Sequence, residues 1–151
     1  MTRKKERNDT RKKQEAAMKE FKKTALIAAE KAGKILIKNL GKVKQIDYKG
    51  IVNLVTEIDR LSEKTIIDTI LKRFPNHEIL AEESKEKYNS SEYKWIIDPL
   101  DGTTNYAHGY PVVCISIALE IEGEIAMGIV YDPFRDELFY AEKGKGAYLN
   151  N

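Results

Sequence analysis

An apolar run over residues 112–119 constrains the fold of this chain more than any other segment. Successive side chains of a strand alternate between two faces, and here the odd-numbered and the even-numbered residues are both largely apolar. A strand without a strongly polar face is typical of the centre of a sheet that carries helices on at least one side. The sequence therefore predicts a sheet with this strand in its interior.

Shorter apolar segments on either side of this run are separated by turn residues. They predict strands at residues 77–81, 94–98, 112–121, 124–131, 137–142 and 146–150. The short connections between the later strands favour antiparallel pairing.

Two helical patterns precede most of these strands. From about residue 14 to residue 40, apolar side chains recur three or four positions apart, and Gly41 follows as the residue that ends the helix. A short strand near residues 46–48 leads to a second helix, which starts after Thr56 and ends at Phe74-Pro75. We therefore predict an α+β fold in which two helices pack on a mostly antiparallel sheet.

Charge is distributed unevenly along the 151 residues, which fit a single domain. Residues 1–23 hold ten Lys or Arg and four Asp or Glu, so the remainder is acidic although the whole chain has a net charge of +2. We predict a basic tail over residues 1–20, disordered or extending the first helix, and a domain over residues 21–151. The tail could contact nucleic acid or anionic lipid, but no nucleic-acid partner is expected, because the aromatic residues are not interleaved with basic ones.

The hydropathy pattern and the cysteine content favour a cytoplasmic protein. No segment approaches the roughly 20 apolar residues of a membrane-spanning helix, and the charged start lacks the apolar core of a secretory signal. One cysteine, Cys114, excludes a disulfide within the chain, and its apolar surroundings predict a buried, unreactive side chain.

Two carboxylates follow the apolar segment that ends at Ile97. Asp98 and Asp101 are three residues apart, so they would lie on opposite faces if the strand simply continued. Pro99 has no N–H for a ladder bond and a fixed φ. We therefore expect the chain to leave the sheet here and the two carboxylates to converge.

A glycine-threonine turn comes directly after these acids. Gly102 lets the backbone approach a ligand closely, and the N–H groups of Gly102, Thr103 and Thr104 can form an anion-binding concavity. The acidic pair Glu82-Glu83 follows the strand predicted at residues 77–81 and adds negative charge that cations would neutralise. The sequence thus predicts a divalent cation beside a phosphate group.

Three motifs in this order resemble the inositol monophosphatase family of magnesium-dependent, lithium-sensitive phosphatases. They are Asn53-Leu-Val-Thr-Glu-Ile-Asp59, Glu82-Glu83-Ser84 and Asp98-Pro-Leu-Asp-Gly-Thr-Thr-Asn-Tyr106. The resemblance runs from about Phe21 to the last residue and covers the amino-terminal part of a layered αβαβα sandwich. It implies hydrolysis of inositol monophosphate, or of a related sugar or polyol phosphate, by metal-activated water with two or three Mg²⁺ ions or with Mn²⁺. Family members are commonly homodimers, so a homodimer is one expected assembly.

The resemblance also implies roles for individual residues. The implied metal ligands are Glu82, Asp98, the Leu100 carbonyl and Asp101, with Asp98 bridging two ions. The implied catalytic residues are Thr103, which positions the water, Asp59 behind it together with Thr56, and Glu82. The implied substrate-binding residues are Leu100, Asp101, Gly102, Thr103 and Lys49. The sequence departs from the family pattern at Ala81, where a glycine is usual.

Several of these assignments have alternatives that the sequence leaves open. Asp98 and Asp101 could cap backbone N–H groups in an Asx-type turn, and Lys49 could be an ordinary surface lysine. Thr56-Glu-Ile-Asp59 is also a helix-capping sequence, in which Thr56 caps the second helix and Asp59 reaches back to it.

Other side chains near the motif have simpler explanations than catalysis. Glu82-Glu83 alone would be a solvated pair, and His108 is interpreted as a solvated loop residue rather than as a general acid. Trp95 and Tyr106 are interpreted as core anchors rather than as substrate platforms.

Rival functions remain at this stage. The haloacid dehalogenase group has a similar motif, but its aspartates are two apart, whereas Asp98 and Asp101 are three apart with a proline between them. Fructose-1,6-bisphosphatases and 3′-phosphonucleotidases share the motifs within the wider superfamily. Family members also carry a metal-binding aspartate in a later Trp-Asp pair, and Trp95 is followed by isoleucine. We therefore expect a partial form of the family fold that alone binds Mg²⁺ weakly, or a non-catalytic protein that keeps the metal loop.

Overall fold

The computed structural model describes the backbone of residues 2–40, 42, 48–82, 87–88 and 90–150, and the side chains of residues 6–40, 42, 55–82 and 90–150. The described helices are α1 (Thr2–Leu40), α2 (Tyr48–Arg73) and α3 (Thr103–Ala107). The described strands are β1 (Glu78–Ala81), β2 (Lys87–Tyr88), β3 (Tyr93–Asp101), β4 (Cys114–Ile121), β5 (Glu124–Asp132), β6 (Glu137–Glu142) and β7 (Gly146–Leu149).

The described strands form one seven-stranded sheet in the order β2-β1-β3-β4-β5-β6-β7. β4 lies at its centre, as the apolar run predicted. Within this described sheet β1 and β3 are parallel, and every other neighbouring pair is antiparallel. The predicted α+β fold with a mostly antiparallel sheet is confirmed.

Helices α1 and α2 pack on each other and on one face of the sheet. Small residues of α1 allow the close approach, since Ala25, Ala28 and Ala32 are fully buried. Ile117 in β4 is also fully buried, and burial of a side chain of this size contributes about 1.5–3 kcal/mol. The opposite face is more open in the described part of the chain, where Phe139 is 45% exposed.

Both long helices begin earlier than predicted. α1 starts at Thr2 rather than near residue 14, because its first turns contain good helix formers and pairs such as Arg11 and Glu15, 3.0 Å apart, but no apolar periodicity that would reveal a helix. α2 starts at Tyr48 rather than after Thr56, and its buried stripe already includes Val55. Tyr48 is therefore helical and not part of the strand predicted near residues 46–48; the other two residues of that strand, and Gly41, lie outside the described residues.

An aromatic cluster closes the core at the end of the sheet where β3 begins. The ring of His77 stacks between those of Phe74 and Tyr93, with both centroid distances 4.7 Å. Trp95, which is fully buried, donates a hydrogen bond from Nε1 to Nδ1 of His77 at 3.0 Å. Because Nδ1 accepts this bond, it carries no proton, and the imidazole is neutral. Burial lowers the pKa of His77.

We expect His77 to make the stability of the protein depend on pH. A histidine whose folded pKa lies below its unfolded value of 6.5 contributes its full stability above pH 6.5, and loses it as the pH falls through the folded pKa. Protonation at Nδ1 of His77 would also point its N–H at the N–H of Trp95, so the hydrogen bond between these two side chains would be lost. The His77→Gln variant keeps an acceptor without this titration. The free energy of unfolding of the wild type, measured by urea denaturation, should therefore fall relative to that of His77→Gln between pH 7.5 and pH 5.5. A constant difference between the two proteins would contradict this account.

Candidate metal and phosphate site

The parallel pairing of β1 with β3 brings Glu82 beside Asp98. Ala81 pairs with Ile97 in this register, and the N–H of Glu82 donates to the Ile97 carbonyl at 3.2 Å. The two parallel strands therefore deliver the acids that follow them to the same edge of the sheet. The side chains of Glu82 and Asp98 lie close enough for their negative charges to repel each other. Glu83 lies outside the described residues.

A β-bulge, and not an exit from the sheet, makes Asp98 and Asp101 converge. The chain was predicted to leave the sheet at Pro99, but β3 continues to Asp101. Asp98 pairs with Ser116 and Asp101 pairs with Cys114, with a register shift between them. Residues 114 and 116 share a face of β4, so the extra residue in β3 places both aspartates on that same face. Both aspartates therefore lie on one face of the sheet, although the predicted cause was wrong.

The face that carries both aspartates is the open face of the sheet. Ile115 and Ile117, which alternate with Cys114 and Ser116 along β4, are fully buried beneath the helices. The aspartates consequently lie on the side of the sheet away from α1 and α2.

Negative charge is concentrated around Asp98. Partial burial, followed by the repulsion of Glu82, raises the pKa of Asp98 to about 6. The N–H of Leu100 donates to Oδ1 of Asp98 at 3.1 Å, which favours the charged form but does not offset the other two effects. The Asx-type turn, which the sequence left open as an alternative, is thus present at Asp98. It uses only Oδ1 of Asp98, and the carboxylate of Glu82 lies nearby.

Asp101 contacts a side chain that the sequence did not single out for the site. The thiol of Cys114 donates to Oδ2 of Asp101 at 3.7 Å. Burial, and then the nearby Asp101, raises the pKa of Cys114 to about 11, so the thiol stays protonated. A protonated thiol is a weak nucleophile, but Cys114 is half-buried on the open face and not enclosed in the core as predicted.

A left-handed turn at Gly102 joins the bulge to α3. Gly102 has φ 94°, and a Cβ there would lie 2.9 Å from the Val112 carbonyl oxygen. The N–H groups of the first helical turn have no acceptor within their own helix, and no side chain caps α3. Thr103, the first residue of α3, is exposed. The structure thus has backbone donors directly beyond the acidic bulge.

Helix α2 contacts the bulge from the face of the sheet opposite Asp98 and Asp101. Ser62 is fully buried, and its hydroxyl donates to the Pro99 carbonyl at 2.9 Å. Asp59, one turn earlier, is only 3% exposed. Thr56 lies well inside α2, so the alternative in which it caps the start of that helix is wrong. Lys49 belongs to the first turn of α2, but its side chain lies outside the described residues.

The remaining side chains near the motif have structural contacts. His108 is exposed and donates from Nδ1 to the Thr104 carbonyl at 2.8 Å, at the end of α3. Tyr106 is fully buried and donates to the Leu36 carbonyl at 2.8 Å, which ties α3 to α1. Trp95 is a core residue at the other end of β3 and does not flank the site.

Ser62 is the residue near the site that the sequence analysis missed. It occupies a position in the buried stripe of α2 between Ile58 and Ile66, where an apolar residue is usual. A lone polar residue in such a stripe needs a buried hydrogen-bond partner, and this signal could have identified it.

The donor set fits a hard divalent cation. Glu82, Asp98, Asp101 and the Leu100 carbonyl offer only oxygen ligands, which Mg²⁺ prefers. Among the residues whose side chains are described, no group of three or more His, Cys, Asp or Glu side chains is arranged so that it could hold a metal ion by itself. The acids therefore share one edge of the sheet but do not form a complete set of metal ligands.

None of the helices in the described ranges has the length and apolar character needed to cross a membrane.

Comparisons with known proteins agree with the three motifs. A model of the inositol monophosphatase family matches residues 17–151. Inositol monophosphatase 3 of Solanum lycopersicum is 44% identical over 141 residues, which are 91% of this chain and 53% of the relative. Fructose-1,6-bisphosphatase/inositol-1-monophosphatase of Aquifex aeolicus is 44% identical over 135 residues, which are 88% of this chain and 51% of the relative.

A solved structure supports the same relationship. Inositol monophosphatase from Anabaena superposes with a TM-score of 0.75 at 44% identity, over 89% of this chain and 48% of that one. The chain thus spans about half the length of the relatives that it matches.

Proposed function

Because the chain belongs to the inositol monophosphatase family, we propose that it provides the metal-binding part of a Mg²⁺-dependent phosphomonoesterase. The observation that supports this proposal best is the edge where Glu82, Asp98 and Asp101 meet on one face, directly before the uncapped start of α3. Carboxylates bind cations, and free N–H groups bind phosphate oxygens. The carboxylates of Asp98 and Asp101 come just before the turn at Gly102, and the N–H groups at the start of α3 come just after it.

In this proposal Glu82, Asp98, Asp101 and the Leu100 carbonyl hold the ions. Bound Mg²⁺ supplies a water of lowered pKa and neutralises charge on the phosphate. The half-buried position of Asp98 and its repulsion by Glu82 mean that a cation is favoured there over solvent alone.

The remaining residues orient the reactants. Thr103, exposed at the start of α3, places its hydroxyl and its N–H where they can orient a water molecule or a phosphate oxygen. Gly102 adopts the left-handed turn that joins the acids to the first N–H groups of α3, a conformation that a residue with a side chain would strain. Asp59, buried in α2, supports Thr103 from behind with Thr56, and Lys49 adds positive charge near the phosphate.

The proposed substrate is inositol monophosphate or a related sugar or polyol phosphate. The Aquifex aeolicus relative, whose name includes both fructose-1,6-bisphosphatase and inositol-1-monophosphatase, keeps a bisphosphatase as the alternative substrate class. Because the chain spans about half the length of its relatives, a non-catalytic protein with a retained metal loop is the second candidate. A cytoplasmic homodimer that binds no nucleic acid is part of the same proposal.

The proposal is tested by phosphate release from inositol 1-phosphate and from fructose 1,6-bisphosphate. We expect slow, Mg²⁺-dependent release by the 151-residue chain and none above background by Asp98→Asn. The matched control is Asp68→Asn, on the exposed surface of α2, which should behave like the wild type. If wild type and Asp98→Asn are indistinguishable with both substrates, the non-catalytic candidate is favoured. A phosphoryl group trapped covalently on Asp98 would instead place the chemistry with the haloacid dehalogenase group.

A further inference from the structure

One buried hydroxyl connects helix α2 to the bulge that carries the acids. Ser62 is fully buried, and its Oγ donates to the carbonyl oxygen of Pro99 at 2.9 Å. Pro99 lies between Asp98 and Asp101, 37 positions from Ser62 along the chain. The bond is therefore a tertiary contact and not a by-product of local helix geometry.

The carbonyl that accepts this bond lies in the irregular part of β3. Regular pairing with β4 holds at Asp98 with Ser116 and resumes at Asp101 with Cys114, while the two residues between fall outside the ladder. Pro99 is itself buried. Losing the partner of a buried carbonyl costs about 1–3 kcal/mol, so the Ser62 hydroxyl stabilises this form of the bulge.

The position of Ser62 also argues for a dedicated contact. Its neighbours along the buried stripe of α2 are Ile58 and Ile66, and a position in such a stripe is usually apolar. A polar residue within such a stripe has a desolvation cost that only its hydrogen bond offsets.

We propose that Ser62 is a positioning residue for the acidic edge, which it fixes through the Pro99 carbonyl. The two aspartates flank Pro99, and the Leu100 carbonyl follows it, so a shift of this one peptide moves three of the four proposed metal ligands together. The expected effect on metal affinity rests on the proposed function. The expected effect on the stability of the bulge rests only on the contact between Ser62 and Pro99.

The test compares Ser62→Ala with the wild-type chain in two measurements. Amide hydrogen exchange at Leu100 and Asp101 should accelerate at least tenfold more in the variant than exchange in the centre of β4. The dissociation constant for Mn²⁺, measured by calorimetry, should rise about three- to tenfold, which is the effect of roughly 1 kcal/mol on one site.

Two further comparisons separate positioning from general destabilisation. Thr24→Val removes another buried hydroxyl, which donates to the Glu20 carbonyl within α1, and it should change neither local exchange at the bulge nor Mn²⁺ affinity. Ser62→Thr and Ser62→Val have nearly the same shape and differ in the hydroxyl. Ser62→Thr should bind Mn²⁺ more tightly than Ser62→Val, and this pair decides the matter if Ser62→Ala does not fold.

Either measurement can overturn the inference. Wild-type exchange at Leu100 and Asp101 in Ser62→Ala shows that the hydroxyl does not hold the bulge. Accelerated exchange with unchanged Mn²⁺ affinity shows that the bulge does not set the ligand geometry. If the wild type binds no Mn²⁺ at all, the proposed function fails, while the exchange measurement still decides whether Ser62 anchors the bulge.

Discussion

Replacing Asp98 with asparagine (D98N) is expected to stabilise the metal-free protein and to abolish its binding of Mg²⁺. The pKa of Asp98 is raised to about 6 by burial and by Glu82. A carboxylate whose folded pKa lies above its unfolded value destabilises the fold when the pH exceeds both, and this cost disappears as the pH falls below both. Asparagine removes the charge and keeps an oxygen that can accept the Leu100 N–H.

The expected gain for D98N is about 1 kcal/mol at pH 7.5, since solvent screens a partly exposed carboxylate. Urea denaturation in EDTA measures it, and the gain should vanish near pH 4. The matched control is Asp132→Asn, because Asp132 accepts from the N–H groups of Phe134 and Arg135 and pairs with the Arg135 guanidinium at 2.5 Å. That variant should lose stability. If D98N is no more stable than the wild type in EDTA, burial of Asp98 and its repulsion by Glu82 do not destabilise the metal-free protein.

Replacing Gly102 with alanine is expected to be the most damaging small substitution in the motif. Its φ of +94° is disfavoured for an L residue, at a cost of about 1–3 kcal/mol. The added Cβ would also meet the Val112 carbonyl oxygen at 2.9 Å and Cγ1 of Val113 at 3.2 Å. Overpacking of this kind typically costs a further 1–3 kcal/mol or so. The total loss should therefore be about 2–6 kcal/mol, measured by urea denaturation.

Gly123 provides the control for backbone strain alone. It has a similar φ of +84°, but a Cβ there would meet nothing within 4 Å. Gly123→Ala should therefore lose only the strain contribution, about 1–3 kcal/mol. Equal losses in the two alanine variants would show that the contact with residues 112 and 113 is unimportant for the turn at Gly102.

The sheet could be predicted from sequence because its signals are local. Alternating apolar residues and the turns between them identified β4 as central and placed β6 correctly at Glu137–Glu142. The start of α2 was missed because Thr56-Glu-Ile-Asp59 has the same letters as a helix start, whereas the structure uses that segment inside a longer helix. A capping sequence does not reveal whether an earlier turn already exists.

The acidic edge could be predicted in composition but not in its geometry. Pro99 indicated an interruption, yet only the pairing of Asp98 with Ser116 and Asp101 with Cys114 shows that the interruption is a bulge. The parallel register that brings Glu82 to Asp98 depends on contacts between distant segments. The bond from Ser62 to Pro99 likewise joins elements that no local pattern relates. Long-range pairing is therefore the information that the motifs lacked.

A titration with Mn²⁺, followed by paramagnetic broadening of backbone amide NMR signals, tests the central claim most directly. If the edge formed by Glu82, Asp98 and Asp101 binds divalent cations, the amide signals of these residues and of Gly102 should broaden first, and D98N should remove the effect. Broadening that begins elsewhere, for example at Glu6 and Asp9 near the start of α1, or that is unchanged in D98N, would contradict the assignment of this edge as the metal site.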